Sequence, residues 1–324
     1  MQAENLNYVP SGDNNSNGIN DRLEFVQCPS GGDGDGCRQA FRVFGDYGNG
    51  TIAYWTNSGE SEYDSIQTQY IARFGRGSQF QASYTWSDFD ANASVSSADG
   101  GIGARTSVTD PDNRDLDWGR AGIDREHVFN ASLIHNLPTF EGEGGFKEWV
   151  LGNWSVGGIY NYSSGQPVEI YAGGFDGLPV AGGGVGYDDP QRPIRVPGVS
   201  CDGAGGRQVL NPDAFTLAGY RLGEVSQMAE RHACEGPDYS QFDLSLYKNI
   251  PVGDRVNVQL RFEIFNIFDE TNWINVDGGW EGTTSYDDPD APTVVTGSTA
   301  SDNYGVAGTA RDAREMQMGV KITF

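Results

Sequence analysis

Apolar and polar side chains alternate with a period of two over several long stretches of the chain. From residue 66 to residue 74, apolar or small side chains occupy every second position, and the residues between them, Gln67, Gln69, Ile71 and Arg73, are polar except Ile71. That apolar or small set is Ile66, Thr68, Tyr70, Ala72 and Phe74. Successive side chains of a strand point to opposite faces, so each such stretch predicts a strand with one apolar and one polar face.

The alternation predicts long strands at 62–74, 78–89, 125–137, 151–168, 238–249, 255–268 and 313–324. Many of them reach about 10 to 14 residues and carry aromatic side chains towards their ends, whereas a soluble strand averages about five or six residues. A tilted strand of a membrane barrel needs about 9 to 11 residues, and aromatic residues mark both membrane interfaces. The pattern therefore favours an all-β, antiparallel transmembrane β-barrel segment.

The connections between these strands alternate in length. Those at 75–77, 138–150 and 249–254 are short or moderate, whereas those at 90–123, 169–237 and 269–311 are long, polar and rich in glycine and aspartate. Outer-membrane barrels have tight periplasmic turns and long extracellular loops. We therefore expect barrel strands over 62–324 and an extracellular loop or cap region over 1–61.

Composition narrows the function classes. The 324 residues hold 45 Asp and Glu against 21 Lys and Arg, a net charge of −24, which argues against nucleic-acid binding through phosphate contacts. No stretch resembles the 18 or more apolar residues of a membrane helix. The opening residues lack a signal-peptide pattern, so we expect an export signal outside this sequence.

The four cysteines fall in two neighbourhoods, which are 28–37 and 201–234. Local pairing, Cys28 with Cys37 and Cys201 with Cys234, is the simplest of three connectivities. Loop cysteines of this kind favour disulfides and an oxidising compartment outside the cytoplasm. Four unpaired thiols in a cytosolic protein are the alternative.

Residues 13–24, DNNSNGINDRLE, have the spacing of a calcium loop. The oxygen-bearing residues at the ligand positions are Asp13, Asn15, Asn17, Asp21 and Glu24, with Gly18 at the sharp turn. Calcium takes six to eight oxygen ligands, and a carboxylate at the twelfth position can bind through both oxygens. The pattern indicates weak calcium binding, with a polar turn that binds no ion as the alternative.

Enzymatic motifs are absent from the sequence, which has neither HExxH, GxSxG nor a P-loop. His127 and His135 fall on a predicted strand, where we expect them to be polar residues facing the lumen rather than metal ligands. We therefore predict that the protein is not an enzyme.

Six ordered stretches resemble the C-terminal barrel region of TonB-dependent outer-membrane receptors, in particular the Oar-like branch with a carboxypeptidase-regulatory-like domain. They are FGRGSQFQASYTWSD (74–88), DWGRAGIDREHVFNASLIHNLP (117–138), GNWSVGGIYNYSSGQPVEI (152–170), FDLSLYKNIP (242–251), VQLRFEIFNIFDETNW (258–273) and REMQMGVKITF (314–324). The resemblance implies the last part of a plugged barrel of about 22 strands. It also implies that Phe324 is the aromatic signal recognised by the outer-membrane assembly machinery, and that TonB acts only through an N-terminal part that the resemblance does not cover.

The sequence thus predicts a C-terminal fragment of a TonB-dependent receptor that binds a small ligand and takes part in its uptake from the bacterial outer membrane. We expect a lumen lined by Gln67, Gln69, Gln81, Arg261 and Glu263. Outer-membrane lipid is the expected partner of the apolar faces. The alternative is a secreted, calcium-stabilised β-sandwich that acts as an adhesion or carbohydrate-binding module.

Overall fold

Long antiparallel strands dominate the computed structural model. It describes residues 2–28, 33–48, 52–92, 106–140, 145–172, 192–253, 255–280, 284–288 and 293–324. The long strands of these residues are β1 (Ser61–Phe74), β2 (Ser78–Ala91), β3 (His127–Asn136), β4 (Trp154–Ser163), β5 (Tyr239–Val252), β6 (Val256–Phe265) and β7 (Glu315–Thr323). They form one sheet in chain order, each antiparallel to the next. All the predicted long strands are confirmed, although 151–168 holds a shorter strand than expected.

The remaining elements are short. The helices are α1 (Asp21–Gln27), α2 (Asp33–Ala40) and α3 (Gly145–Leu151), with 3₁₀ turns at Gly45–Tyr47, Arg114–Asp117, Pro212–Ala214 and Val225–Gln227. The short strands are Gln2–Asn5, Ala53–Thr56, Thr106–Ser107, Gly119–Arg120, Pro167–Val168, Ile194–Arg195, Asp202–Gly205, Gln208–Leu210, Phe215–Thr216, Cys234–Glu235, Trp273–Val276, Thr284–Tyr286, Val295–Ser298 and Ala307–Ala310. Among the described residues, no helix has the length and apolar character to cross a membrane.

The register of the sheet gathers the apolar positions of all seven long strands onto one face. Ile66 lies opposite Trp86, and Leu246 lies opposite Phe262. Within the described residues no second sheet lies across this apolar face, and Ile66 is 62% exposed. A β-sandwich needs a second sheet packed against such a face. The structure therefore gives no support to the sandwich alternative.

The prediction for two histidines was wrong. His127 and His135 lie on the apolar face rather than the polar one, and His127 is opposite Trp86. Both histidines occupy odd-numbered positions, as do the apolar residues Phe129 and Leu133. The strand pairing places the odd-numbered positions of β3 on the apolar face. Each sits at an end of the strand and has a polar neighbour: the Nδ1 of His127 is 3.0 Å from the hydroxyl of Tyr84, and that of His135 is 3.0 Å from the hydroxyl of Ser78.

The described parts of the long connections, expected to be irregular polar loops, fold into a cap at one end of the sheet. The cap holds the hydrophobic core of the molecule, formed by Ile170, Ala172, Leu210, Ala214, Phe215, Leu217, Tyr220, Leu222, Ala229, Cys234, Trp280, Val295 and Tyr304. These apolar residues are scattered along 170–304 without helical or strand periodicity. For that reason the pattern gave no sign of a core there.

The N-terminal region belongs to this cap. Gln2–Asn5 pairs with Ala53–Thr56 and, in parallel, with Thr106–Ser107. The buried guanidinium of Arg22 forms two hydrogen bonds with Asp110, at 2.8 and 2.7 Å. The described residues between 2 and 56 therefore pack against the connection between β2 and β3.

Buried polar groups fasten the cap to the strand ends. Arg231 donates to the carbonyl of Asn92 at 3.2 Å, and the Nδ1 of His232 lies 2.6 Å from the carbonyl of Arg120. Glu169 lies 3.7 Å from the imidazole Nε2 of His232. Burial lowers the pKa of His232 below its usual value, so the neutral imidazole is favoured in the folded cap.

The opposite end of the sheet carries the short connections. The turn between β1 and β2 places Gly77 at a φ of 72°, a conformation that favours glycine. The connection after β3, predicted at 138–150 as short or moderate in length, contains α3. Gly152 ends it in close contact with the backbone, because an added Cβ would lie 2.1 Å from the carbonyl oxygen of Thr139.

Candidate ligand-binding cleft

A cleft of about 560 Å³ opens on the polar face of the sheet, where β1, β2 and β3 meet the cap. Its lining residues are Tyr63, Gln67, Thr85, Ser87, Phe89, Ile123, Asp124, Arg125 and Val128. All of the strand residues among them occupy positions whose side chains point to the polar face. The cleft thus lies on the side of the sheet that faces the lumen of a barrel.

The segment 121–126 forms the upper border of this cleft, because it is hydrogen-bonded to the end of β2. Ala121 donates its N–H to the carbonyl of Phe89 at 2.8 Å. The N–H of Ser87 donates to the carbonyl of Glu126, and its hydroxyl donates to the carbonyl of Arg125, both at 3.0 Å. These bonds hold the side chains of 123–125 over the strand ends.

Two aromatic rings supply apolar surface within the cleft. Tyr63 on β1 lies directly opposite Phe89 on β2, and their rings meet edge to face at 5.8 Å. Both rings occupy polar-face positions, out of phase with the aromatic residues of the apolar face. Such out-of-phase aromatics at strand ends are the sequence signal that could have identified this cleft.

The described lining of the cleft contains two charged side chains, Arg125 and Asp124, of which Asp124 forms an ion pair and Arg125 is hydrogen-bonded to neutral groups. Nη1 of Arg125 donates to the hydroxyl of Ser163 at 2.8 Å and to the carbonyl of Ser164 at 2.7 Å, both neutral acceptors. Burial, and then the nearby charge of Arg311, lower the pKa of the Arg125 guanidinium. The carboxylate of Asp124 instead pairs with Arg120 at 2.9 Å. Arg125 therefore remains the cationic group on which an anionic or carbonyl group of a ligand can be bound.

The predicted lumen residues all lie on the polar face, but only Gln67 lines the cleft. Gln69 and Gln81 lie on the same face, further from the cap. Arg261 and Glu263 lie on β6, across the sheet from the cleft.

A hydrogen-bonded group surrounds Arg261 and Glu263. Arg261 donates to Gln259 at 2.8 Å, and the carboxylate of Glu263 accepts from the hydroxyl of Tyr247 at 2.8 Å. The structure thus separates the predicted lumen residues into two groups, one on β1 and β2 and one on β6, and Gln67 of the first group lines the cleft.

The predicted calcium residues converge where a loop meets the first turn of α1. The carboxylate of Asp13 accepts from the N–H groups of Asn17 and Gly18 at 3.0 and 2.6 Å. The side-chain amides of Asn15 and Asn17 donate to the two oxygens of Glu24 at 2.8 and 2.7 Å.

The fifth residue of the set, Asp21, lies at the start of α1 and accepts from the N–H of Asn14 at 3.2 Å. In the described part of the chain no three His, Cys, Asp or Glu side chains cluster as a metal site. The oxygens of this loop would therefore have to include the two asparagine amides.

The cysteines pair locally, as predicted. Cys28 is joined to Cys37, and Cys201 is joined to Cys234. The second bond lies against the cap core, where Cys234 is a member. Phe324, the predicted assembly signal, lies at the turn end of the sheet and is 97% exposed.

Comparison with known proteins gives one family. The model of the family described as "Outer membrane beta barrel domain" matches residues 1–317. The match therefore includes both the cap and the sheet. No curated protein and no solved structure matches the chain.

Proposed function

Because the chain belongs to the outer membrane beta barrel domain family, we propose that it is the C-terminal, ligand-binding part of a TonB-dependent receptor of the Oar-like branch. It is a protein of the bacterial outer membrane, and the apolar face of its sheet is the surface that contacts lipid. The role is binding and uptake of a small ligand, without catalysis.

The directions of the strands carry this proposal. Successive antiparallel pairings from β1 to β7 leave these two edge strands running the same way, from the cap end to the turn end. If β1 paired directly with β7 to close a barrel, the two strands would be parallel. The same is true if β1 of one copy of the chain paired with β7 of a second copy in the same orientation. Antiparallel closure therefore needs an odd number of further strands, and a barrel of about 22 strands would add about 15.

The cleft supports the binding role. It lies beneath the cap on the polar face, between the outward side and the lumen, and it combines two aromatic rings with Gln67 and Arg125. Such a surface suits a small molecule with both apolar and polar groups. A carbohydrate, a peptide and a chelated metal remain equal candidates. Energy for transport would come through a plug and a TonB box, which the resemblance does not place in these residues.

A transport assay tests the proposal. Cells expressing the full protein would be given a defined mixture of oligosaccharides, peptides and ferric chelates, and depletion of each compound would be followed by mass spectrometry. We expect at least one compound to be depleted only when the protein is present and the membrane is energised. Depletion that persists with a protonophore would contradict TonB-dependent uptake.

A pair of variants links this uptake to the cleft. Gln67→Trp places an indole ring in the cleft, where it would obstruct a ligand, and should reduce depletion of the transported compound at least tenfold. Gln69→Trp adds the same side chain to the same face outside the cleft, and should leave depletion nearly unchanged. Equal effects of the two substitutions would show that the cleft is not the binding site.

We also propose that residues 13–24 bind calcium weakly. Glu24 now accepts hydrogen bonds from the amides of Asn15 and Asn17, and rotation of these amides would present their oxygens to an ion instead. Chelator should therefore lower the melting temperature of the wild-type cap. Glu24→Ala should abolish that response, whereas Asp46→Ala, at an exposed position away from the loop, should retain it. A wild-type melting temperature indifferent to chelator would contradict calcium binding.

A last proposal concerns assembly. Phe324 is 97% exposed and contributes little packing, so Phe324→Ala should reduce the amount of assembled protein in the outer membrane without changing its stability once assembled. Met318→Ala, on the same strand and 82% exposed, is the matched control. Equal assembly of the two variants, measured by heat-modifiable gel mobility, would contradict an assembly role for Phe324.

A further inference from the structure

Helix α3 carries an apolar surface that no other described part of the chain covers. Three of its large apolar side chains are exposed: Phe146 by 76%, Trp149 by 64% and Leu151 by 51%. The helix is only seven residues long, so these side chains make up much of its surface. In water such a patch is unfavourable, and exposed apolar patches usually mark a contact with a partner or a membrane.

The sheet holds α3 beside its apolar face. The indole Nε1 of Trp154 donates to the carbonyl of Val150 at 2.8 Å, and the ammonium of Lys248 donates to the carbonyl of Gly152. Trp154 on β4 lies opposite Lys248 on β5, and both occupy positions on the apolar face of the sheet. The C-terminal end of α3 is therefore fastened to the side of the sheet that contacts lipid.

These two contacts also satisfy carbonyl groups at the end of the helix. The last carbonyls of a helix have no intrahelical partner, and a cation at this end interacts favourably with the helix dipole. Lys248 is buried although it is charged, and it also lies 5.4 Å from the ring of Trp154. The arrangement keeps the helix end hydrogen-bonded in a place with little water.

The position of α3 along the strands matches a membrane interface. It lies at the turn end, just before the start of β4, and its C-terminal end is hydrogen-bonded to Trp154 and Lys248 on the apolar face. Aromatic side chains are enriched at the level of the lipid headgroups, and short amphipathic helices lie in that plane with their apolar side towards the acyl chains.

We propose that α3 is an interfacial anchor that inserts Phe146, Trp149 and Leu151 into the phospholipid leaflet on the periplasmic side of the outer membrane. Continuity with the lipid-facing sheet identifies the occupant as lipid. The anchor fixes the depth of the turn end in the bilayer, while the acidic cap remains on the other side. This inference rests on the outer-membrane location and does not depend on the ligand or on TonB.

Spin labelling tests the anchor directly. The chain has no free cysteine among its described residues, because all four are in disulfides. A single added cysteine can therefore carry a nitroxide. The full protein, as Phe146→Cys or Trp149→Cys, would be reconstituted in vesicles of phosphatidylethanolamine and phosphatidylglycerol, and collisions of the label with oxygen and with a water-soluble nickel chelate would be compared. Tyr47→Cys in the cap, 80% exposed, is the control.

At positions 146 and 149 we expect the oxygen-to-nickel accessibility ratio to be severalfold higher than at position 47. A ratio equal to that of the control would place α3 in water and overturn the proposal. Protection from both reagents would also overturn it, because that result means a protein cover.

A second measurement leaves the helix nearly intact. Brominated phospholipids should quench the fluorescence of the wild-type protein more than that of Trp149→Phe, and the difference reports the contribution of Trp149. Equal quenching of the two proteins would mean that Trp149 does not contact lipid.

Discussion

Arg22 and Asp110 show how single residues hold the cap together across 88 positions of sequence. Both side chains are 3% exposed and their charged groups bind through two hydrogen bonds. The Nε of Arg22 also donates to the carbonyl of Val9 at 3.0 Å. The N-terminal region is therefore joined to the connection between β2 and β3 by a pair from which water is excluded.

Removal of one partner should strongly destabilise the cap. Asp110→Ala removes the buried carboxylate that accepts from both Nη atoms of Arg22 and leaves the guanidinium its 3.3 Å contact with the carboxylate of Asp112. This should cost about 3 kcal/mol, the lower end of the range for a broken buried pair. Glu224→Ala removes the exposed pair of Arg221 with Glu224, whose side chains are 66% and 44% exposed, and should cost less than about 1 kcal/mol. Denaturant unfolding, followed by near-ultraviolet circular dichroism of the cap aromatics, measures both. Equal costs would show that the buried pair is not the main link.

At the scale of the element, β3 shows what the register decides. Leu133 lies opposite Gly158 on the apolar face, and its neighbour Ser132 lies opposite Ile159 on the polar face. Both side chains are exposed in the open sheet. Only the surrounding medium therefore distinguishes these neighbouring positions, with lipid on one side and the lumen on the other.

Arginine scanning of this strand gives opposite results on the two faces. Leu133→Arg places a charge on the lipid face in the middle of the strand and should destabilise the assembled protein by about 2 to 4 kcal/mol. Ser132→Arg points to the lumen and should change stability by less than about 1 kcal/mol. Unfolding in phospholipid vesicles, measured by tryptophan fluorescence, separates the two. Similar costs would mean that the apolar face does not contact hydrocarbon.

At the scale of the whole molecule, the cap and the sheet are stabilised in different environments, the cap in water and the sheet in the bilayer. The sheet has exposed apolar residues on its lipid face, whereas the buried apolar core lies in the cap. Both disulfides lie outside the long strands. The cap therefore has the packing of a water-soluble protein, while the sheet depends on the bilayer.

Loss of the disulfides should weaken the cap and spare the sheet. The bond between Cys201 and Cys234 closes a separation of 33 residues and that between Cys28 and Cys37 a separation of 9. Loop-closure entropy predicts stabilisation by about 3.7 and about 2.6 kcal/mol. Paired serine substitutions at 201 and 234 should thus lower the near-ultraviolet transition of the cap more than those at 28 and 37. A matching loss of the far-ultraviolet sheet signal would show that cap and sheet unfold as one unit.

The sequence alone determined the strands, their apolar and polar faces and the two disulfides. Alternation with a period of two and the distance between cysteines are local properties, and the backbone converts them directly into faces and pairs. The prediction that His127 and His135 face the lumen was wrong because both alternate in step with Phe129 and Leu133, which the strand pairing places on the apolar face.

Tertiary structure alone decided the cap core, the cleft and the place of α3. The core residues have no periodic spacing, and the cleft unites Tyr63, Phe89 and Arg125 from separate segments through strand pairing and the hydrogen bonds of 121–126. Helix α3 acquires its position from Trp154 and Lys248, the second of which lies far along the chain. Such contacts depend on which distant segments meet, and the local order of side chains does not contain that information.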